Sequence, residues 1–368
     1  MFINKNQWLS RFKKSDISFD EFIDNAQVKS KTKIFPLKQL ITIKKINKSK
    51  IKKLYEHYMN KDTYLSNFYD TSLQIPDDLT ISQTPMKNQF NNSMFMKCKN
   101  VIRNLHYLDI LKYTQSGFNN PNFLTTLDNF YNKLILDYNL IIPSTLEYIQ
   151  NSQISGVFSS MFFRASIMNP FLVYSLNHSL FKASKVFTPT LGWSSYCYGF
   201  LECEYIKEYV GTDVIPSVCK KTKMFANKFY KNKITNIYCS PSESLLHNSN
   251  FIQKYNKHFD LVFFSPPYYK LELYQSKQQS TNNYDSYDKW LSNYWEQTIL
   301  LCHKVLINGG KLCYILSGYG KDLKFDLAND MNHITKKYFK HFKTIDMLDK
   351  KSNKKHRTTN EQIFIFVK

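Results

Sequence analysis

Phe259-Asp260-Leu261-Val262-Phe263-Phe264-Ser265-Pro266-Pro267-Tyr268 is the stretch on which the reading turns. Phe259 and the run Leu261 to Phe264 have the unbroken apolar character of a strand covered on both faces, as in a parallel sheet. Two prolines cannot continue a hydrogen-bonded ladder, so Ser265 to Tyr268 must leave the sheet as a stiff loop. Open α/β sheets place their ligands at this carboxyl end of the strands. The Ser265 hydroxyl, the Pro266 carbonyl and the Tyr268 ring suit a planar amine. Two acceptors would localise the lone pair of an exocyclic amino nitrogen, and the ring would stack on the base. Ser-Pro-Pro-Tyr alone is common in turns; the buried strand ahead of it and the alternating strand and helix pattern around it are what point to function.

In this setting the chain resembles the amino-methyltransferases, S-adenosylmethionine enzymes with an (Asp/Asn/Ser)-Pro-Pro-(Tyr/Phe/Trp) loop. It is similar in particular to a phage and large-virus branch of DNA methylases, in which a Gly-Trp-Gly loop precedes the strand. In that branch an aromatic-x-Leu-Glu-x-Tyr segment, then Gln-Ser, then a Tyr/Trp-rich helix follow it. Tyr269, Leu271-Glu272-Leu273-Tyr274, Gln279-Ser280 and Tyr287 to Trp290 stand in that order. The resemblance spans about residues 165 to 368. It implies catalytic roles for Ser265, Pro266, Pro267 and Tyr268, S-adenosylmethionine as cofactor, and no metal.

Upstream, Lys185 to Thr188 reads as a strand, and Pro189-Thr190-Leu191-Gly192-Trp193-Ser194-Ser195 turns into a helix from Tyr196. Gly192 and the small serines would let the backbone approach a carboxylate at a helix N-terminus. The family pattern Asp-Pro-x-x-Gly-Trp-Gly-Gly-Arg is kept at Pro189, Gly192 and Trp193. It is lost at Thr188, Ser194, Ser195 and Tyr196, which puts cofactor affinity in question because the acid helps hold the methionine ammonium. Tyr209 to Asp213 is a strand ending in an acid, suited to both ribose hydroxyls, with Val214 and Ile215 flanking the adenine. The alternative for Asp213 is an ordinary helix N-cap before Pro216. Ile234 to Cys239 makes a third strand, after which Ser240 and Glu243 fall where relatives contact the base; Ser242 could equally be a helix cap. Asn169 and Pro170 match an Asn-x-x-Pro-like segment at the methionine end of the cofactor, or simply start a helix.

Downstream, Lys270 to Tyr284 is polar and long for a connection, the profile of a lid or binding loop. Tyr269, Glu272 and Tyr274 are the candidate substrate contacts there. Asp285 to Val305 reads as a helix whose Tyr287, Trp290, Leu291 and Tyr294 pack on one face. Asn308-Gly309-Gly310 reads as a turn into the strand Lys311 to Leu316, and Gln362 to Val367 as a last strand, antiparallel if the family topology holds.

The first 165 residues differ in kind. Lysines crowd Lys29 to Lys53, and the run from Lys44 leads into Leu54 to Met59 with helical spacing, a basic helix with aromatics between the charges that suits phosphates and base stacking. Residues 60 to 100 read as irregular; Val101 to Tyr113 and Asn122 to Tyr138 read as amphipathic helices. The net charge of +21 points to a polyanionic partner, although a lysine-rich coding bias would also produce it. Seven cysteines without a Cys-x-x-Cys pair, no signal-peptide core and no run of membrane-spanning length suggest a soluble protein of a reducing, cytoplasmic compartment, virus- or phage-encoded if the resemblance holds.

The expected architecture is therefore a doubly wound, Rossmann-like α/β methyltransferase domain with a mixed seven-stranded sheet over 166–368, behind a basic, mainly helical target-recognition domain over 1–165. The expected activity is methylation of DNA on an exocyclic amino group, with cytosine N4 favoured over adenine N6 because Ser265 stands where N6 enzymes usually carry Asp. An RNA amino-methyltransferase would share every motif. A protein glutamine methyltransferase would normally open the loop with Asn, and a catalytically dead subunit that binds nucleic acid would fit the eroded Gly-Trp loop.

Overall fold

The computed structural model describes residues 1–13, 16–112, 114–115, 121–151, 157–158, 161–162, 165–270, 273–274, 276–317, 325–349 and 357–368. The chain divides into two compact units: 1–75, 103–165 and 272–274 in one, and 76–102, 166–271 and 275–368 in the other.

The second unit is built on seven strands: β1 (Lys185–Thr188), β2 (Glu208–Asp213), β3 (Ile234–Cys239), β4 (Phe259–Phe264), β5 (Leu306–Ser317), β6 (Lys340–Asp349) and β7 (Arg357–Val367). Their order across the sheet is β6-β7-β5-β4-β1-β2-β3. Strands β1 to β5 pair in parallel, and β7 runs antiparallel to both β5 and β6. This is the mixed seven-stranded, doubly wound, Rossmann-like sheet expected from the sequence, including the antiparallel last strand. The chain runs outward from β1 to β3, then crosses back to β4 beside β1. The loops after β1 and β4 thus part at a topological switch point, where such sheets open a crevice.

Five of the six β4 residues are buried. The exception, Asp260, accepts the backbone N–H groups of Ser184 (2.9 Å) and Lys185 (2.8 Å) and so fixes the start of β1 against β4. Strand β5 begins at Leu306 rather than Lys311, and the expected Gly-Gly turn is an irregularity inside it, with Gly309 at φ 77°. Strand β6 has no counterpart in the sequence reading, because Lys340 to Thr344 are all exposed and this edge strand carries no apolar alternation there. The helix expected from Asp285 begins at Tyr287 and is π-helical over Leu291–Glu296.

Residues 76–102, assigned from the sequence to the N-terminal part, pack on the sheet unit. The Ile81 N–H donates to Glu202 Oε2 (2.8 Å), the Met86 N–H to Ser175 Oγ (3.1 Å) and the Leu348 N–H to the Phe90 carbonyl (3.0 Å). Ile81, Phe90, Cys98, Val101 and Ile102 are buried there as well, so apolar side chains and backbone groups together hold the segment.

The other unit is mainly helical, with a small sheet of Gln27–Ser30, Lys33–Pro36 and Ile135–Asp137. Lys61–Ser72, read from sequence as irregular, is a helix that buries Tyr64, Leu65, Phe68 and Tyr69; its Asn, Asp, Thr and Ser residues masked that stripe. The helix expected over Asn122 to Tyr138 is Phe123–Lys133, capped by Asn122 and ended by Leu134 at φ 53°. The basic helix is Lys48–Met59, with Lys48, Lys52 and Lys53 exposed and Ile51, Leu54 and Tyr58 buried. Tyr55 is half-buried, its hydroxyl donating to the Ile17 carbonyl at 2.7 Å. The aromatics of this helix therefore face inward, which corrects the base-stacking expectation and leaves a lysine face suited to phosphates alone.

Candidate active site

The site is assembled at the carboxyl ends of β1 to β4. After β1, Gly192, Trp193 and Ser194 form three consecutive left-handed residues, at φ 51°, 59° and 68°. Glycine takes this conformation freely; Trp and Ser each pay about 1–2 kcal/mol for it. Ser194 Oγ lies 2.6 Å from Thr222 Oγ1, whose own proton goes to the Val218 carbonyl, so Ser194 is the donor and is held from behind. The backbone thus makes this turn with Ser194 and Ser195 where the resembled pattern has glycines. Ser195 Oγ, fully buried, has no hydrogen-bond partner among the described residues.

Tyr196 is the hinge of the arrangement. Its ring covers Gly192 so closely that a Cβ there would fall inside it. The Tyr196 hydroxyl accepts the Ser265 N–H at 3.0 Å, and its ring meets Phe263 edge-on at 5.2 Å. The loop after β1 is thereby bolted to the loop after β4. A second link runs from Thr190 Oγ1 to the Ser265 carbonyl at 3.4 Å. Thr188 is fully buried with its hydroxyl 2.7 Å from that of Tyr209.

Asp213 closes β2. Its Oδ1 accepts the Ile215 N–H (3.1 Å) and its Oδ2 the Leu191 N–H (3.3 Å). The Val214 N–H also bonds the carboxylate, which with about four lone-pair sites still keeps acceptor capacity. The residue is half-buried, and loss of solvation pushes its pKa up to about 6 against the pull of those backbone donors. Val214 and Ile215 follow as half-buried apolar residues. Two adjacent residues, Leu191 and Thr190, join Asp213 to Ser265 by hydrogen bonds along one rim.

Past β3, Ser240 accepts Thr212 Oγ1 on its carbonyl (2.5 Å), and Ser240 Oγ turns to the Pro241 carbonyl (3.4 Å). Glu243 is buried, and desolvation raises its carboxyl; its partners are the Tyr284 hydroxyl (3.4 Å) and Ser242 Oγ (3.5 Å). Ser242 makes no capping bond and instead lies 3.1 Å from Thr298 Oγ1. Ser276 Oγ donates to the Val214 carbonyl (3.4 Å). The described part of the Lys270 to Tyr284 loop thus touches the Asp213 and Glu243 side through Ser276 and Tyr284.

In the diproline loop, Pro266 is buried while Ser265, Pro267 and Tyr268 are half-buried. The Tyr268 hydroxyl accepts the Ser317 N–H at 2.8 Å, which pins the ring by its tip. Tyr269 is only 4% exposed, wedged among Tyr287, Trp290 and Phe325, with its hydroxyl donating to the Asp285 carbonyl (3.4 Å). That packing covers its ring and corrects its reading as a target contact. Tyr274 belongs to the helical unit, in a two-stranded pairing of Leu273–Tyr274 with Thr114–Gln115, and Glu272 lies outside the described residues. Asn169 is fully buried as the cap of Pro170–Leu176: its Oδ1 accepts the Phe171 N–H (3.0 Å) and its Nδ2 donates to the Met94 carbonyl. Its amide is spent on structure, the plainer of the two sequence readings. Pro170 adjoins Gly199 of the helix Ser195–Leu201, where a Cβ would meet the Pro170 carbonyl at 2.5 Å.

Sequence reasoning registered Tyr196 only as a departure, Tyr284 as the end of a loop and Ser276 not at all. Their contacts are with residues 41 to 69 positions away, which no local pattern signals. Among the described residues, no group of His, Cys, Asp and Glu could hold a metal ion, and no helix is long and apolar enough to cross a membrane.

No protein-family model matches the chain, and no curated protein matches it. Solved structures do. The N-methyltransferase NodS from Bradyrhizobium japonicum WM9 is 12% identical over 53% of this chain and 90% of its own, with a TM-score of 0.33. TrmN from Thermus thermophilus is 12% identical over 55% of this chain and 49% of its own, with a TM-score of 0.35.

Proposed function

We propose that the sheet unit is an S-adenosylmethionine-dependent methyltransferase acting on the exocyclic amino group of a base in DNA, with cytosine N4 favoured over adenine N6. The observation that carries this reading is the union of Asp213 and Ser265 on one rim of the switch point, through Leu191 and Thr190 on one path and Tyr196 on the other. The donor set fits the cofactor. Asp213 keeps acceptor capacity for ribose hydroxyls, Val214 and Ile215 offer apolar flanks to a base, and Ser240 and Glu243 stand at its far end. Ser195 Oγ, buried and without a partner among the described residues, follows Gly192 and Trp193 and offers a polar contact at the methionine end.

S-adenosylmethionine supplies an activated methyl group. The chain's own work is to hold the acceptor. Ser265 Oγ and the Pro266 carbonyl accept the two amino hydrogens, Pro267 stiffens the turn, and Tyr268, held at its tip by Ser317, presents its ring to the base. A base in duplex DNA has to leave its stack, at a cost of a few kcal/mol. Target recognition falls to residues 1–165, whose exposed Lys48, Lys52 and Lys53 supply phosphate contacts.

The test is mass spectrometry of nucleosides from unmodified DNA incubated with the protein and S-adenosylmethionine. N4-methylcytosine is the expected product, and Ser265→Ala should cut its rate by about two orders of magnitude. N6-methyladenine would move the target base. Product only on RNA would support the RNA reading, and nucleic-acid binding without any uptake of S-adenosylmethionine would support a catalytically dead subunit.

A further inference from the structure

Tyr294 stands in the π-helical stretch Leu291–Glu296 and is 3% exposed. Its hydroxyl is buried and has no hydrogen-bond partner among the described residues. Leaving such a group unsatisfied is costly, so it calls for an explanation. A π-turn inside an α-helix is itself common at functional sites, because it shifts one side chain out of the regular register.

The neighbours show where the hydroxyl sits. Before it, Trp290 packs on the Tyr294 ring at 5.1 Å and donates its Nε1–H to Ser280 Oγ (3.0 Å), on the loop that ends in Tyr284. After it, Thr298 Oγ1 lies 3.1 Å from Ser242 Oγ, the residue before Glu243. The polar contacts on either side of Tyr294 are therefore made to the two segments that flank Glu243. Burial holds the phenol protonated, and the fields of Glu243 and, after it, Cys302, Tyr196 and Asp213 add to that, so it is a donor. Among the described residues neither acid accepts from it, so its acceptor has to come from outside the chain.

Resting on the cofactor reading above, we infer that the Tyr294 hydroxyl donates a hydrogen bond to the adenosine part of S-adenosylmethionine and is a binding residue for it. Tyr294→Phe keeps the ring and removes only the donor. In the free protein no hydrogen bond is lost, so the melting temperature should stay level or rise. Calorimetry with S-adenosylhomocysteine should show binding weakened roughly five- to tenfold, and the melting-temperature rise it causes should shrink in step. A packing tyrosine would behave otherwise: unchanged affinity in Tyr294→Phe overturns the inference, as does a loss of free-protein stability with affinity intact. Asp213→Ala separates the two levels. If the wild type binds S-adenosylhomocysteine, Asp213→Ala does not, and Tyr294→Phe binds as wild type, only the Tyr294 role falls. If the folded wild type binds none, the cofactor reading falls with it.

Discussion

Asp213 shows how a single carboxylate ties binding to pH. Burial raises its pKa to about 6, and ribose hydroxyls donate much more strongly to its ionised form. Cofactor binding should therefore be flat with pH above about 7 and weaken by up to roughly tenfold per unit below about 6, as calorimetry with S-adenosylhomocysteine from about pH 5 to about pH 8 would show. Asp213→Asn should flatten that profile at a lower affinity. Tyr196 is the other decisive residue, because its hydroxyl is the acceptor for the Ser265 N–H. Tyr196→Phe should free the diproline loop, lowering turnover about ten- to a hundredfold while the affinity for S-adenosylhomocysteine changes little, a split visible in kcat against Kd.

At the scale of elements, the site depends on how closely two helices approach. Gly199 lets the start of Pro170–Leu176 lie against Ser195–Leu201, since an added Cβ would meet the Pro170 carbonyl at 2.5 Å and the Val173 Cβ at 2.6 Å. Gly199→Ala must move backbone, not a flexible side-chain tip, and should cost about 1–3 kcal/mol in urea unfolding. The left-handed turn ahead of Ser195–Leu201 works in the opposite sense. Its strain is held by the Ser194 to Thr222 hydrogen bond, so Ser194→Ala, which keeps the strain and removes the bond, should destabilise by about 1 kcal/mol. The diproline loop is supported likewise from β5, through Ser317.

For the whole molecule, charge is the dominant quantity. With a net charge of +21, binding to nucleic acid should weaken steeply with salt. Replacing exposed Lys48, Lys52 and Lys53 by Gln should lower the slope of log K against log salt by about one for each phosphate that is no longer neutralised. Fluorescence anisotropy on labelled DNA reads that slope, and S-adenosylhomocysteine binding should be unchanged. Because the buried side of the same helix carries Ile51, Leu54 and Tyr58, the triple substitution should not unfold it.

The class of fold and the ends of the strands that matter were legible in the amino-acid order. Continuous apolar runs such as Leu261 to Phe264, cut short by a proline pair, read as buried strands, and an acid or a proline pair that ends one marks its carboxyl rim. The helix cap at Asn169 was legible too, since Asn-Pro is a local signal. What those ends face was settled only by the folded chain. That Tyr196 fills the space over Gly192 and grips Ser265, that Tyr269 is core, and that 76–102 wraps the sheet unit all depend on contacts between positions far apart in the chain. Local patterns record which side of an element is buried, because burial follows the period of the backbone. They do not record what it is buried against, and in this protein that partner decides whether a residue binds, supports or merely packs.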